Sequence, residues 1–169
     1  MNAPVRNSIR VLLLNDKNEL LLMCADDPKT YKMGGEYRGC FWFPIGGKIE
    51  NSETIEEAAI REIYEETGIK QHEIEFGPIV WFEELDLILS GTLTHLSQKF
   101  IVANTKNSNI TLANLTPDEQ KVIQNIAWFS FEKIKTWPEI IYPVSLKQYI
   151  PDIMAGVYPP KPIELHLAN

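Results

Sequence analysis

Glu62, Glu65 and Glu66 follow one another at helical spacings, so on a helix the three carboxylates share a wedge of roughly 100°. Such charges, about 5–6 Å apart, repel one another. Ile55, Ala59, Ile60 and Ile63 form an apolar arc on the same wheel, and Glu62 and Glu66 intrude on its edge, which adds a desolvation cost. Something positive must offset them. Arg61 points largely away from Glu62 on an ideal wheel but can reach Glu57 or Glu65, so it is expected to orient carboxylates rather than neutralise the cluster. Carboxylate ligation without His or Cys nearby selects a hard cation, Mg²⁺ or Mn²⁺, and Mg²⁺ shares its shell with water and phosphate oxygens. The chemistry implied is therefore work on a phosphorylated substrate. A run of glutamates on a helix is ordinarily a solvated face; the intrusion on the apolar arc argues against that here.

The elements that must hold these groups are legible nearby. Thr54 can cap a helix and Glu57 can return the bond as a capping box, while Gly68 supplies a left-handed stop, which predicts a helix over 55–67. Phe43-Pro44-Ile45-Gly46-Gly47 delivers a glycine turn just ahead of it. Upstream, Ile9 to Leu14 and Leu20 to Cys24 read as strands joined in a hairpin by Asn15 to Asn18, and 25–40 is a long polar connection. Downstream, Ile79 to Leu89 and Gln98 to Ala103 read as strands around a Ser90-Gly91 turn. Ile110 to Leu112 is a candidate short strand, and Thr116-Pro117-Asp118-Glu119 opens a helix with its own capping box. Ala127 to Phe129 returns as a strand and Phe131 to Lys135 as a short helix. A last helix over Ser145 to Ala155 should break or kink at Pro151, before an extended tail. Strands interrupted by one helix and followed by others predict an α/β or α+β layered domain.

From Gly47 to Ile69 the chain fits G-x5-E-x7-R-E-U-x-E-E-x-G-U (U, bulky aliphatic) at every fixed position: Gly47, Glu53, Arg61, Glu62, Ile63, Glu65, Glu66, Gly68 and Ile69. At average residue usage such a match arises by chance on the order of once in a billion windows. The chain resembles a Nudix hydrolase. The resemblance covers roughly residues 8 to 155, with only the box highly specific, and implies an α/β/α sandwich with a mixed central sheet. It also implies hydrolysis of a nucleoside diphosphate linked to another moiety, by water attacking a phosphorus. Carried over by position, Glu62, Glu65 and Glu66 become ligands of Mg²⁺ or Mn²⁺ with the Gly47 carbonyl, and Glu65 is also a candidate base. Glu119 is the first choice for a carboxylate outside the box, although it already has a capping role; Glu83, Glu84 and Asp86 are alternatives, with a solvated strand face as their default. Glu53 and Arg61 are expected to pair in support. Ser52 stands where many members have glycine, and Ile45 is an extra residue between Pro44 and the glycine pair.

Lys48, Arg38, Arg10, Lys29 and Lys32 could each contact a phosphate, although single cations are ordinarily solvated. Trp42, Tyr37, Trp81 and Phe82 could stack on a base, although strand aromatics are more often core. Specificity is expected in 25–40, 86–96 and 104–119, none of which carries a readable substrate signature. Two rival readings share the fold. A prenyl-diphosphate isomerase would need a paired cysteine and glutamate, and a non-catalytic ligand-sensing module would not need the intact box.

The 169 residues, 44% of them apolar, suffice for one domain spanning 1–169. A net charge of −7 argues against a nucleic-acid polymer or an acidic membrane as partner. Cys24 and Cys40 form no metal motif in sequence and read as free thiols, and His72, His95 and His166 are scattered. With no apolar leader at Met1 to Pro4 and no run long enough to span a bilayer, a cytoplasmic protein is expected. A small phosphorylated molecule is the expected partner, and a homodimer, frequent in the family, is the commonest closed assembly.

Overall fold

In the computed structural model, residues 3–32, 35 and 37–166 are described. The chain runs β1 (Val5–Leu14), β2 (Leu20–Ala25), β3 (Tyr31–Lys32), β4 (Phe41–Pro44), β5 (Gly46–Lys48), α1 (Ile55–Thr67), β6 (Ile74–Leu89) and β7 (Thr92–Thr105). It continues through α2 (Pro117–Val122), β8 (Ile123–Phe129), α3 (Phe131–Thr136), β9 (Ile140–Ile141), α4 (Leu146–Met154) and β10 (Ile163–Glu164).

All the strands belong to one mixed sheet whose main path is β10-β6-β7-β1-β2-β4-β9, with β3 on β6, β5 on β1 and β8 on β2. The expected β1–β2 hairpin is only a corner, since the two strands pair at Leu14 and Leu20 alone. β1 instead runs parallel to β7 along its whole length, and β2 pairs with β4 and β8. The sheet therefore splays between β1 and β2, and the glycine turn enters that opening: β5 pairs with β1, and Val11 N–H donates to the Ile45 carbonyl at 2.8 Å. The extra residue between Pro44 and Gly46 thus steps the chain from β2's side of the opening to β1's.

The two faces bury different partners. Ile9, Val11, Leu13, Leu21, Met23 and Ile45 pack with Ala58, Ala59 and Ile63 of α1. Leu12, Leu20, Leu22, Trp42, Trp81 and Phe100 pack on the other face with Ile134 of α3 and Leu146, Ile150 and Ile153 of α4. The layered α/β fold expected from the sequence is the fold observed.

β6 and β7 are longer than their apolar runs suggest, joined by Ser90 and Gly91 at φ 48° and 85°, the left-handed pair that suits a tight hairpin. Residues 110–112 form no strand; Thr111 N–H donates to the Thr67 carbonyl and docks this stretch on the end of α1. α4 continues through Pro151, with buried Ile150 and Ile153 holding the turn that lacks one hydrogen bond. The tail ends in β10, added parallel to β6 at Trp81 and Phe82.

Candidate active site

Thr54 caps α1 by accepting the Glu57 N–H at 3.1 Å, and Gly68 closes it at φ 79° with its N–H on the Tyr64 carbonyl. The capping box is only half formed, because Glu53, not Glu57, folds back on the turn and accepts the Glu50 N–H at 2.8 Å. Ser52 sits at φ 70°, so this turn does need the left-handed conformation that glycine adopts without strain.

The turn draws Arg61 across the helix. Its Nε and Nη2 grip the two Glu53 oxygens at 2.7 and 2.9 Å, and Nη2 also donates to the Lys48 carbonyl at 2.9 Å. Nη1 is thereby held over the wedge, 2.9 Å from Glu62 Oε1 and 3.4 Å from Glu65 Oε2. The ideal wheel turned Arg61 away from Glu62; a long side chain anchored at its tip overrides that. The hydrogen bond from Arg61 is the first cause holding the Glu53 pKa below its ordinary value, and the Arg61 pKa is raised by the same bond.

Two adjacent glycines face two adjacent carboxylates. Glu66 is buried, and its Oε2 accepts the Gly46 N–H at 3.1 Å. Glu62 is buried under Gly47 so closely that a Cβ there would lie 2.5 Å from Oε1. Burial first, and then the Glu62 charge, push the Glu66 pKa well up; Arg10 and the Gly46 N–H offset part of this. Glu65, about a third exposed, has its pKa raised by the same two causes, with Arg61 opposing. Among the described residues no Lys or Arg forms an ion pair with Glu66. As placed, the three carboxylates do not bring oxygens from all three within 4.8 Å of one another, in keeping with their mutual repulsion.

The family model for the NUDIX domain matches residues 4–147. The chain belongs to the NUDIX domain family. The family expected from the box is the family found. The m7GpppN-mRNA hydrolase NUDT17 of Xenopus laevis is 31% identical over 85 residues, covering 48% of this chain but only 29% of that protein. A C. elegans Ap4A hydrolase binary complex has a TM-score of 0.61 at 21% identity, over 89% of this chain and 98% of that one. An ADP-ribose pyrophosphatase from Streptococcus suis has a TM-score of 0.58 at 11% identity, over 95% and 98%. These two likenesses are to the fold.

The remaining candidates surround the Nudix box unevenly. The Arg10 guanidinium donates to the Pro44 and Gly46 carbonyls at 3.3 and 3.2 Å and to Gln98 Oε1 at 3.3 Å, and lies 5.2 Å from the Phe43 ring centre. It is a half-buried cation already bonded to protein oxygens, which differs from the free phosphate contact expected. Gln98 in turn donates to buried Glu83, so Glu83 is not on the solvated strand face that was its default; Glu84 and Asp86 are.

Glu119 completes the capping box of α2 through the Thr116 N–H at 3.1 Å, yet its charge also reaches Glu65 and Glu66. Lys48 is exposed and lines a groove of about 270 Å³ with Arg6, Val5, Leu89 and Thr94. Arg6, which the sequence reading did not single out, feels the charges of Glu62 and Glu50. Its only sequence signal is the alternation Arg6-Ser8-Arg10 along β1. Arg38 and Lys29 are exposed, and the Lys32 side chain lies outside the described residues. Trp42 and Trp81 are buried in the core on the α3–α4 face, so neither offers a free ring, whereas Tyr37 is exposed. A larger open depression of about 690 Å³ lies on the opposite flank of α1, against Glu56, Ile60 and His72, and includes none of Glu62, Glu65 and Glu66.

Proposed function

We propose that this chain, as a single domain over 1–169, is a Mg²⁺- or Mn²⁺-dependent pyrophosphohydrolase. It cleaves the diphosphate linkage of a nucleoside diphosphate joined to another moiety. The observation that carries the reading is the pair of buried carboxylates, Glu62 and Glu66, set side by side beneath Gly46 and Gly47 with too little positive charge to match them. An all-oxygen donor set of this kind fits a hard divalent cation. Glu62, Glu65, Glu66 and the Gly47 carbonyl would hold it, with Glu119 as a further carboxylate on the same side. Such an ion supplies Lewis-acid polarisation of phosphate oxygens and a more acidic water.

The chain's own groups then divide the remaining work. One oxygen of Glu66 is committed to the Gly46 N–H and one of Glu62 to Arg61. Glu65 is the more exposed of the three and has a raised pKa, the combination that suits a group accepting the proton of the attacking water. Lys48 and Arg6 line the groove beside the box and suit the substrate's phosphates, with Arg38 as an exposed cation on the 25–40 connection. The substrate is small and phosphorylated, and the named activities of the relatives, on a cap, a dinucleoside polyphosphate and ADP-ribose, support that class. No helix among the described residues is long and apolar enough to cross a membrane, and a cytoplasmic location suits two free thiols.

The isomerase reading is not favoured, because Cys24 belongs to the core layer on the face opposite α1. The test is phosphate release, coupled to pyrophosphatase and phosphatase, from nucleoside triphosphates, sugar nucleotides, dinucleoside polyphosphates, ADP-ribose and capped dinucleotides, with Mg²⁺, Mn²⁺ or chelator. Metal-dependent release from one group is expected. Silence across the panel from folded protein would refute the reaction class.

A further inference from the structure

We propose that Cys24, Cys40 and Glu139 form a second metal site, for a thiophilic divalent cation of the Zn²⁺ kind. The two sulfurs and a Glu139 carboxylate oxygen all lie within 4.8 Å of one another. Tetrahedral Zn²⁺ with ordinary bond lengths of about 2.3 Å to sulfur and 2.0–2.2 Å to oxygen needs its ligand atoms roughly 3.5–3.8 Å apart. A spread of at most 4.8 Å leaves no more than about 1.3 Å to close on binding.

Three separate pieces of chain deliver these ligands. Cys24 is near the end of β2, and Cys40 immediately precedes β4, the antiparallel neighbour of β2. Glu139 precedes β9, which lies alongside β4. The Trp42 Nε1–H donates to Glu139 Oε1 at 3.2 Å, fixing the carboxylate and leaving its other oxygen free, as supporting partners of metal ligands do.

The electrostatics call for a cation. Asp26, two residues from Cys24, has its Oδ1 buried without a hydrogen-bond partner. Among the described residues no Lys, Arg or His forms an ion pair with Asp26 or Glu139. Zn²⁺ would take the place of the two thiol protons, leaving the net charge of the cluster unchanged while giving the Glu139 carboxylate a cation at bonding distance, with water in the fourth position.

The site is chemically distinct from the carboxylate wedge. Thiolates prefer Zn²⁺ over Mg²⁺, so the two centres would not compete for one ion. Cys24 and Trp42 lie in the α3–α4 core layer, whereas the box helix packs on the other face. Bound metal would staple the two ends of the 26–39 connection to each other and to the segment ahead of β9, a structural role.

The experiment titrates Co²⁺ alone, then Zn²⁺, into the reduced, metal-free full chain. One equivalent of Co²⁺ should produce thiolate-to-cobalt charge transfer and tetrahedral d–d bands that Zn²⁺ abolishes. Cys24→Ser and Cys40→Ser should lose the charge-transfer band, and Glu139→Gln, at an exposed position, should weaken Co²⁺ binding at least roughly tenfold. Glu66→Gln should leave the spectrum unchanged, which separates this site from the box. Absence of a thiolate band in the wild type, or a band that survives in folded Cys40→Ser, would overturn the proposal.

Discussion

Gly46 and Gly47 are neighbours in sequence, yet a methyl group added at each should act on different properties of the protein. At Gly47 the new Cβ would lie 2.5 Å from Glu62 Oε1 and 2.8 Å from Cδ, against an ordinary contact of 3.4 Å or more. The carboxylate must therefore retreat by roughly 1 Å, and it is the far end of a flexible side chain that can do so. A displacement of that size in a reacting constellation costs on the order of 100-fold in rate, or about 2.7 kcal/mol of transition-state stabilisation. At Gly46, with φ 141°, the Cβ would lie 2.0 Å from the Ile9 carbonyl oxygen and 2.9 Å from Arg10 Cα. Both are backbone atoms of a central strand, which cannot yield without parting β1 from β5.

Gly47→Ala should thus fold normally, keep its urea midpoint close to that of the wild type, and lose about 100-fold in turnover at saturating Mg²⁺. Gly46→Ala should lose cooperative folding. The assays are urea unfolding followed by circular dichroism, and metal-dependent phosphate release on whichever substrate the panel identifies. Full activity in Gly47→Ala would refute the claim that the position of Glu62 governs the chemistry. Equal destabilisation in the two variants would refute the distinction between a side-chain neighbour and a backbone neighbour.

Removing the Glu66 charge should lower turnover by orders of magnitude and raise metal-free stability at neutral pH. Its pKa is raised in the fold, so the native state holds the extra proton between the ordinary range near 4.3 and the raised value. Stability is lost as pH rises through that window. In chelator, Glu66→Gln should therefore gain on the wild type at neutral pH and the gain should vanish near pH 4; a deficit at both pH values would refute this. Arg61→Ala should cost about 1–2 kcal/mol of stability, discounted for partial exposure, and roughly 10- to 100-fold in turnover; urea unfolding and rate measurements check both, and an unchanged rate would make Arg61 purely structural. Ser52→Gly should raise stability by about 1 kcal/mol by relieving the left-handed residue at φ 70°, read as a higher urea midpoint with unchanged slope.

What was legible in the sequence is what is encoded locally. The Thr54 cap, the Gly68 stop and the helix between them are fixed by neighbours three or four residues away, and so is the capping box of Thr116 and Glu119. The Glu53–Arg61 pairing is nearly as local, because about two helical turns separate them. The pairing of β1 with β7 is not, since a parallel neighbour leaves no turn between the strands to mark it. Arg10 and Glu83 were misplaced for a related reason. A charged residue on a strand defaults to solvent, and it is Gln98 on β7, bonded to both, that helps to satisfy half-buried Arg10 and buried Glu83. The two cysteines and Glu139 likewise meet through strand pairing that no spacing motif records.

Arg61 shows why a wheel can find a site and still misjudge its wiring. The wheel places the Cα–Cβ bonds correctly, and by that measure Arg61 and Glu62 diverge. The guanidinium lies several bonds beyond Cβ, however, and its position is set by its strongest acceptors, the two Glu53 oxygens and the Lys48 carbonyl on the turn. Because that turn also carries Gly46 and Gly47 over Glu66 and Glu62, one side chain ties the turn to the helix and spaces two of the carboxylates. Neither partner would be well placed without the other: the turn has a strained Ser52 to hold, and the wedge has repelling charges to separate. The requirement for arginine rather than lysine follows from this geometry, since only a planar fork can reach Glu53 twice and still point Nη1 at Glu62. Arg61→Lys should consequently resemble Arg61→Ala in turnover while recovering part of its stability.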